Sequence, residues 1–180
     1  MARTDGTTKH KHTVVALVED HPGVLNRVVS LFRRRGFNID SLTVGPTEAH
    51  NVSRMTMVVN GNDTVVEQAV KQLYKVVDVL KVSDLTEEKT VVRELALLKV
   101  STSPTTRSEI MQIVDIYRAK IVDVGHDSII IEVTGAEEKI DSLFELVKRF
   151  GVREMVRTGR VVMTRGGTSK TAAGSDNGKD

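Results

Sequence analysis

The sequence predicts an α+β protein built from two tandem β-α-β-β-α-β units, the split βαβ or ferredoxin-like arrangement. Three observations carry this. Apolar residues recur at two distinct periods, near 2 and near 3.6, in segments of strand and helix length. Those segments fall in the order strand, helix, strand, strand, helix, strand. The same order then occurs a second time, after the polar stretch Thr86-Glu87-Glu88-Lys89. The division that results is a flexible leader over 1–11, a first domain over 12–85, a linker over 86–90, a second domain over 91–164 and a disordered tail over 165–180.

The first strand is the apolar run within Thr13–Val18, continuous enough to be central and covered by helices. A break follows at Glu19-Asp20-His21-Pro22-Gly23. Val24, Leu25, Val28, Leu31 and Phe32 then share one face of a helix over Pro22–Arg35. Pro22 suits the first helical position, Arg33–Arg35 suit the last turn and Gly36 is a natural stop. Asn38–Val44 and Val52–Val59 are the next strands, joined by the loop that starts at Gly45-Pro46. Asn60-Gly61-Asn62-Asp63 is turn chemistry, and Thr64-Val65-Val66-Glu67 reads as a capping box that opens a helix with Val66, Ala69, Val70 and Leu73 inward. Val76–Val82 is the fourth strand.

In the second unit Val91–Val100 is a strand, and Thr106-Arg107-Ser108-Glu109 reads as another capping box ahead of Ile110, Ile113, Val114 and Tyr117. Ile121–Val124 and Ile129–Val133 form a hairpin about Gly125-His126-Asp127-Ser128. Ala136–Arg149 is a helix stopped by Gly151, and Val152–Val156 with Val161–Met163 supplies the last strand material. Helices on one sheet face leave the other to be covered. Apolar residues on both faces of several strands therefore predict pairing between subunits, by default as a twofold dimer.

The chemistry lies in the turn at residues 19–25. A helix N-terminus offers backbone N–H groups without intrahelical partners and carries partial positive charge. Gly23 lets a ligand approach that backbone closely. A carboxylate held near Gly23, Val24 and Leu25, an ammonium near Asp20, and an aliphatic group against Val24 and Leu25 together describe a site for a free amino acid. The plainer alternative is that Asp20 or His21 caps the helix and Gly23 eases the turn.

Composition bounds the rest. The 180 residues hold 39% apolar and 28% charged side chains, as in ordinary soluble globular proteins, and the net charge of +2 is spread out. The absence of cysteine excludes disulfides, thiolate metal sites and cysteine nucleophiles, and fits a cytoplasmic protein. No apolar run approaches a membrane span, and MARTDGTTKHKH is no signal peptide. No phosphate-binding glycine loop, nucleophile elbow or His/carboxylate cluster is evident, so neither a catalytic nor a metal site is expected. His10 and His12 are placed in the leader. RNA binding through the same strand order is opposed by the third strand, Val52–Val59, which has no aromatic residue to stack a base. No nucleic-acid or membrane partner is expected.

The residues then go further than pattern. Glu19-Asp20-His21-Pro22-Gly23-Val24-Leu25 resembles the ligand turn of ACT domains, ferredoxin-like regulatory modules that bind amino acids between paired copies. Arg35–Val44, Ser53–Thr56, Val77–Leu80, Arg93–Val100 and Arg157–Val161 resemble the small regulatory subunits of acetolactate synthase (acetohydroxyacid synthase), from about His12 to Arg165. The resemblance implies an N-terminal ACT domain, an ACT-like C-terminal domain and no chemistry of the chain's own. It implies activation of a large catalytic subunit carrying thiamine diphosphate, FAD and Mg²⁺, in the biosynthesis of valine, isoleucine and leucine. It also implies feedback inhibition by valine, with isoleucine or leucine as lesser effectors, bound at the interface of two ACT domains in a homodimer. By position the effector would meet Asp20, His21, Gly23, Val24, Leu25 and Asn26 of one chain, and Asn38 with Ile39 of the other. Some relatives carry Asn at the position of Asp20 and Glu at that of Asp40. The loop holding Glu48 and His50, with Arg54 beside it, is the candidate contact for the catalytic subunit.

Overall fold

The computed structural model describes residues 10–166. Its contacts divide the chain into two units. One runs to Val91 and takes back the segment from Val162 onward; the other is Val92–Val161. The first unit contains β1 (His10–Glu19), α1 (Val24–Arg35), β2 (Asn38–Pro46), β3 (Val52–Gly61), α2 (Asp63–Leu73) and β4 (Val79–Asp84). β5 (Thr90–Ser101) then leads through α3 (Arg107–Ile116), β6 (Lys120–Val124), β7 (Ser128–Gly135), α4 (Glu137–Val147) and β8 (Val152–Arg157) to β9 (Val161–Thr164).

The sheets run β2-β3-β1-β4 and β6-β7-β5-β8, with β9 also paired to β5. The two orders are the same arrangement used twice, as the duplicated pattern predicts. The pairs within each path are antiparallel. β1 is central because Val14–Val18 are buried on both faces. Val14, Ala16 and Val18 pack with Val24, Val28, Leu31 and Phe32 of α1, and with Val66, Ala69 and Leu73 of α2. The second unit repeats this with Ala96, Leu98 and Val100 against Ile110, Val114, Ile140 and Leu143.

Several boundaries differ from the sequence reading. His10 and Lys11 belong to β1 and not to a leader: they lie opposite Gly61 and Asn60, where backbone pairing continues after the apolar run has ended. Residues 1–9 and 167–180, the rest of the expected leader and tail, lie outside the described residues. Helix α1 begins at Val24 and not Pro22, because Gly23 takes the left-handed conformation (φ 96°) and breaks helical geometry there. At the other end Gly36 (φ 69°) closes a Schellman motif, with Gly36 N–H donating to Arg33 O and Phe37 N–H to Phe32 O.

Neither capping box forms as read. Asn62, in extended conformation, accepts a hydrogen bond from Val65 N–H at 3.0 Å, so α2 starts two residues before the Thr64 reading would have it. The Thr106 hydroxyl accepts instead from Ser103 N–H, outside the helix, at 2.9 Å. Val76 belongs to the turn after α2 and donates to Leu73 O, which delays β4 to Val79. A purely sequential division puts residues 162–164 with the second domain. The contacts put them with the first, where Arg54 Nη2 donates to Val162 O at 2.7 Å and Arg165 N–H to Lys89 O at 2.7 Å.

Candidate functional site

The turn between β1 and α1 is held at its start by backbone. Glu19 N–H donates to Asp78 O at 2.9 Å and Asp20 N–H to Asn51 O at 2.8 Å. The chain then passes Pro22 and enters the helix through Gly23. Arg27 N–H makes the first helical bond, to Gly23 O at 3.0 Å. No side chain caps this helix start, so the plainer reading, in which Asp20 or His21 caps it, does not hold. A Cβ on Gly23 would meet nothing within 4 Å; glycine is required here by the positive φ, not by crowding. The result is an exposed, uncapped helix N-terminus, with N–H groups and partial positive charge facing outward.

Around that end the expected residues divide cleanly. Val24 is buried and anchors the helix, whereas Leu25 is 43% exposed and stands beside the open backbone. Asp20, His21 and Asn26 are exposed, and the Ser30 hydroxyl donates to Asn26 Oδ1 at 3.5 Å. Asn38 and Ile39 are not brought to this place. They follow a helix of 12 residues, which spans about 18 Å. They pair with Asn60 and Val59 on β3, while the turn end of β1 pairs with Val52 and Ser53. Asn38 is exposed, and its amide donates to Asp40 Oδ1 at 2.6 Å. β2 is one of the two edge strands of its sheet.

The structure adds three residues that the sequence reading did not single out. Asp78 is only 3% exposed, yet its carboxylate accepts two bonds from Arg27 Nη1, at 2.8 and 2.7 Å. His21 Nε2 lies 3.2 Å from Asp78 Oδ1 and 3.3 Å from Glu19 Oε2. His21 Nδ1 donates to Pro22 O at 3.1 Å. That hydrogen bond first, and then the Asp78 and Glu19 carboxylates, hold the imidazole pKa above its ordinary value against a smaller opposing effect of lost hydration. The His21 imidazole therefore sits next to the open helix end in contacts that favour its positive form, and that form adds to the end's preference for an anion. Asp78 lay inside the Val77–Leu80 segment of the resemblance, a carboxylate among apolar residues, but nothing there points to Arg27, its partner 51 positions away.

The partner-contact candidates separate too. Glu48 and His50 are exposed in the β2–β3 connection. Arg54 is half-buried and already bonded to Val162 O, and burial lowers its pKa against the opposing pull of Glu48. Among the described residues no helix is long and apolar enough to cross a membrane. The expectation that no His/carboxylate cluster exists is corrected. Glu19, His21 and Asp78 form one and His10, His12 and Asp63 another, each joining two residues two positions apart to a third that is distant in sequence.

Comparison with known proteins agrees with this architecture. Residues 15–81 match the family model described as an AHAS small subunit-like ACT domain, and residues 93–166 match that of the small subunit of acetolactate synthase. A probable acetolactate synthase small subunit of Archaeoglobus fulgidus is 55% identical over 87% of this chain and 98% of its own. An acetolactate synthase small subunit of Mycolicibacterium smegmatis is 50% identical over 86% of this chain and 91% of its own. The crystal structure of the acetolactate synthase small subunit from Thermotoga maritima superposes with a TM-score of 0.82 at 44% identity, covering 88% of this chain and 99% of that one. With one model on each unit and relatives matched over nearly their whole length, the chain belongs to the acetolactate synthase small-subunit family, with an ACT domain as its first unit.

Proposed function

We propose that this chain is the valine-sensing regulatory subunit of an acetolactate synthase. It binds and activates the large catalytic subunit and confers feedback inhibition in branched-chain amino acid biosynthesis. The catalytic subunit supplies the chemistry, with thiamine diphosphate, FAD and Mg²⁺. This chain supplies an allosteric site for valine, and for isoleucine or leucine more weakly.

The observation that carries the reading is the open N-terminus of α1 at Gly23. It can receive a carboxylate on backbone N–H groups, with Asp20 in reach of an ammonium and Leu25 offering an apolar wall. Each charge-assisted hydrogen bond is worth about 1.5–3 kcal/mol, and burying an isopropyl group about 1.5–3 kcal/mol, before the costs of association. Because Asn38 and Ile39 stand a full helix length from Gly23, one small ligand can touch both sets only if they come from two chains. This supports a site across a homodimer, with β2 an available edge and Leu25 and Val29 an apolar stripe on α1. Glu48 and His50 are the exposed side chains assigned to the catalytic subunit.

Titration calorimetry with L-valine tests this, with L-lysine and L-aspartate as controls, followed by assays of the catalytic subunit with and without this chain. Saturable binding of valine alone and valine-sensitive activation are expected. Activation that valine leaves unchanged, or no activation, would overturn the corresponding half of the proposal.

A further inference from the structure

At the opposite end of β1 from the Gly23 turn, nine residues and about 30 Å away, His10 and His12 point from the same face of the strand. Their rings lie 4.0 Å apart. Asp63, the first residue of α2, reaches them: its Oδ1 is 3.5 Å from His10 Nε2 and 3.7 Å from His12 Nε2. The three potential ligand atoms all lie within 4.8 Å of one another. They line a cavity of about 870 Å³ whose other ionisable walls are Glu67, Lys71, Asp84 and Glu87, so carboxylates outnumber the single ammonium.

The hydrogen bonds around His12 fix what its inner nitrogen presents. His12 is only 3% exposed. Its Nδ1 faces Thr86 Oγ1 at 3.3 Å. That hydroxyl spends its only proton on Asp84 Oδ1 and accepts from Thr13 N–H at 3.1 Å. Its remaining capacity is as an acceptor, so His12 Nδ1 must donate to it. In the neutral ring Nε2 is then a bare lone pair, buried, without a hydrogen-bond partner, and aimed at Asp63 and His10. A buried acceptor left in this way is costly unless something binds it. A ligating histidine whose other nitrogen donates into an oriented hydroxyl and carboxylate is the usual second-shell arrangement of a metal site.

We infer that His10, His12 and Asp63 form a binding site for a divalent transition ion of the zinc class. Two imidazole nitrogens and one carboxylate are a zinc-type donor set, leaving a fourth position for water. Bonds of about 2.0–2.1 Å in tetrahedral geometry put ligand atoms about 3.3–3.4 Å apart, so each histidine need close on Asp63 by only a few tenths of an ångström, while the two imidazoles, whose ligand atoms lie within 4.8 Å of each other, swing together about the ion. The ion would clamp the first residues of β1 to the start of α2. The site is separate from the amino-acid site proposed above.

The test uses the full chain, stripped with a chelator and titrated with Zn²⁺ by calorimetry and with Co²⁺ by visible absorption. One equivalent of Zn²⁺ per chain and the intense absorption of tetrahedral Co²⁺ are expected. His10→Gln, at a half-exposed position that leaves the core intact, and Asp63→Asn should each weaken Zn²⁺ binding by at least the roughly 10–100-fold seen for outer-shell partners. His21→Gln, in the other cluster, should leave it unchanged. An absence of saturable binding, an octahedral cobalt spectrum, or affinity unaffected by both His10→Gln and Asp63→Asn would overturn the inference.

Discussion

Replacing Arg27 by alanine removes the partner of a buried carboxylate, and the geometry sets the cost. The Asp78 side chain is 4% exposed and receives two Arg27 bonds, whereas the Arg27 side chain is 54% exposed. Removing one partner of a fully buried pair typically costs about 3–5 kcal/mol. Two features reduce this. Water screens the exposed guanidinium, and His21 at 3.2 Å remains to share the charge. The expectation is about 2–3 kcal/mol, which for a unit of this size lowers its melting temperature by about 10–20 °C. Urea unfolding followed by circular dichroism, on Arg27→Ala, Asp78→Ala and the double variant, gives both the loss and the coupling energy. A coupling of about 1–2 kcal/mol is expected, because in the double variant no buried charge is stranded. Arg27→Ala within about 0.5 kcal/mol of wild type would refute the reasoning, since that is the range of an ordinary surface substitution. The pair ties the first turn of α1 to the segment before β4, so the same variant should also weaken valine binding.

Other substitutions probe other parts of the chain. Gly23→Asp should abolish valine inhibition while preserving activation of the catalytic subunit, since it places a carboxylate beside the N–H groups proposed to hold the effector's own. Conformational strain at φ 96° adds about 1–2 kcal/mol of destabilisation, and inhibition at wild-type valine concentrations would count against the site. Asn62→Ala should lose about 1 kcal/mol of stability and Thr64→Ala much less, because Asn62 caps α2; chemical unfolding of both would show the reverse if Thr64 were the cap. Leu143→Ala, at a fully buried position, should cost about 2–5 kcal/mol, read as an earlier unfolding transition of the second unit. His21 has a raised folded-state pKa, so its stabilising contribution is complete below its usual value of 6.5 and fades as pH rises through the raised value. The stability difference between wild type and His21→Gln should vanish at high pH, and a difference that grows with pH would contradict the assigned contacts.

Much of the fold was legible because local patterns agreed with the global one. The continuous apolar run at Val14–Val18, the helical spacing of Val24, Val28, Leu31 and Phe32, and Gly36 as a stop each mean the same thing locally and in the folded chain. What was misread depended on competition or on distance. Asn62 and Thr64 are both good caps two residues apart, and only the path of the preceding strand decides between them. His10 and His12 carry no apolar signal, so their place in β1 comes from backbone pairing with β3. Asp78 is stable inside because of an arginine on another element, and no local spacing reveals that. In the candidate site the turn itself was visible in the sequence, whereas the charged ring of Glu19, His21, Arg27 and Asp78 behind it was not.

The length of α1 has a consequence for the proposed amino-acid sensor. In the proposed effector site Gly23 comes from one chain and Asn38 from the other, because the two stand a 12-residue helix apart in each chain; such a site would be complete only where two chains meet, and a twofold pair would complete it twice. Ligand binding and chain association are then linked by mass action: each strengthens the other by the same free energy. Sensitivity to valine should fall on dilution of the protein, and valine should hold the pair together. A regulator built as proposed would respond to its own abundance as well as to that of the amino acid, so its expression level would set the threshold of inhibition.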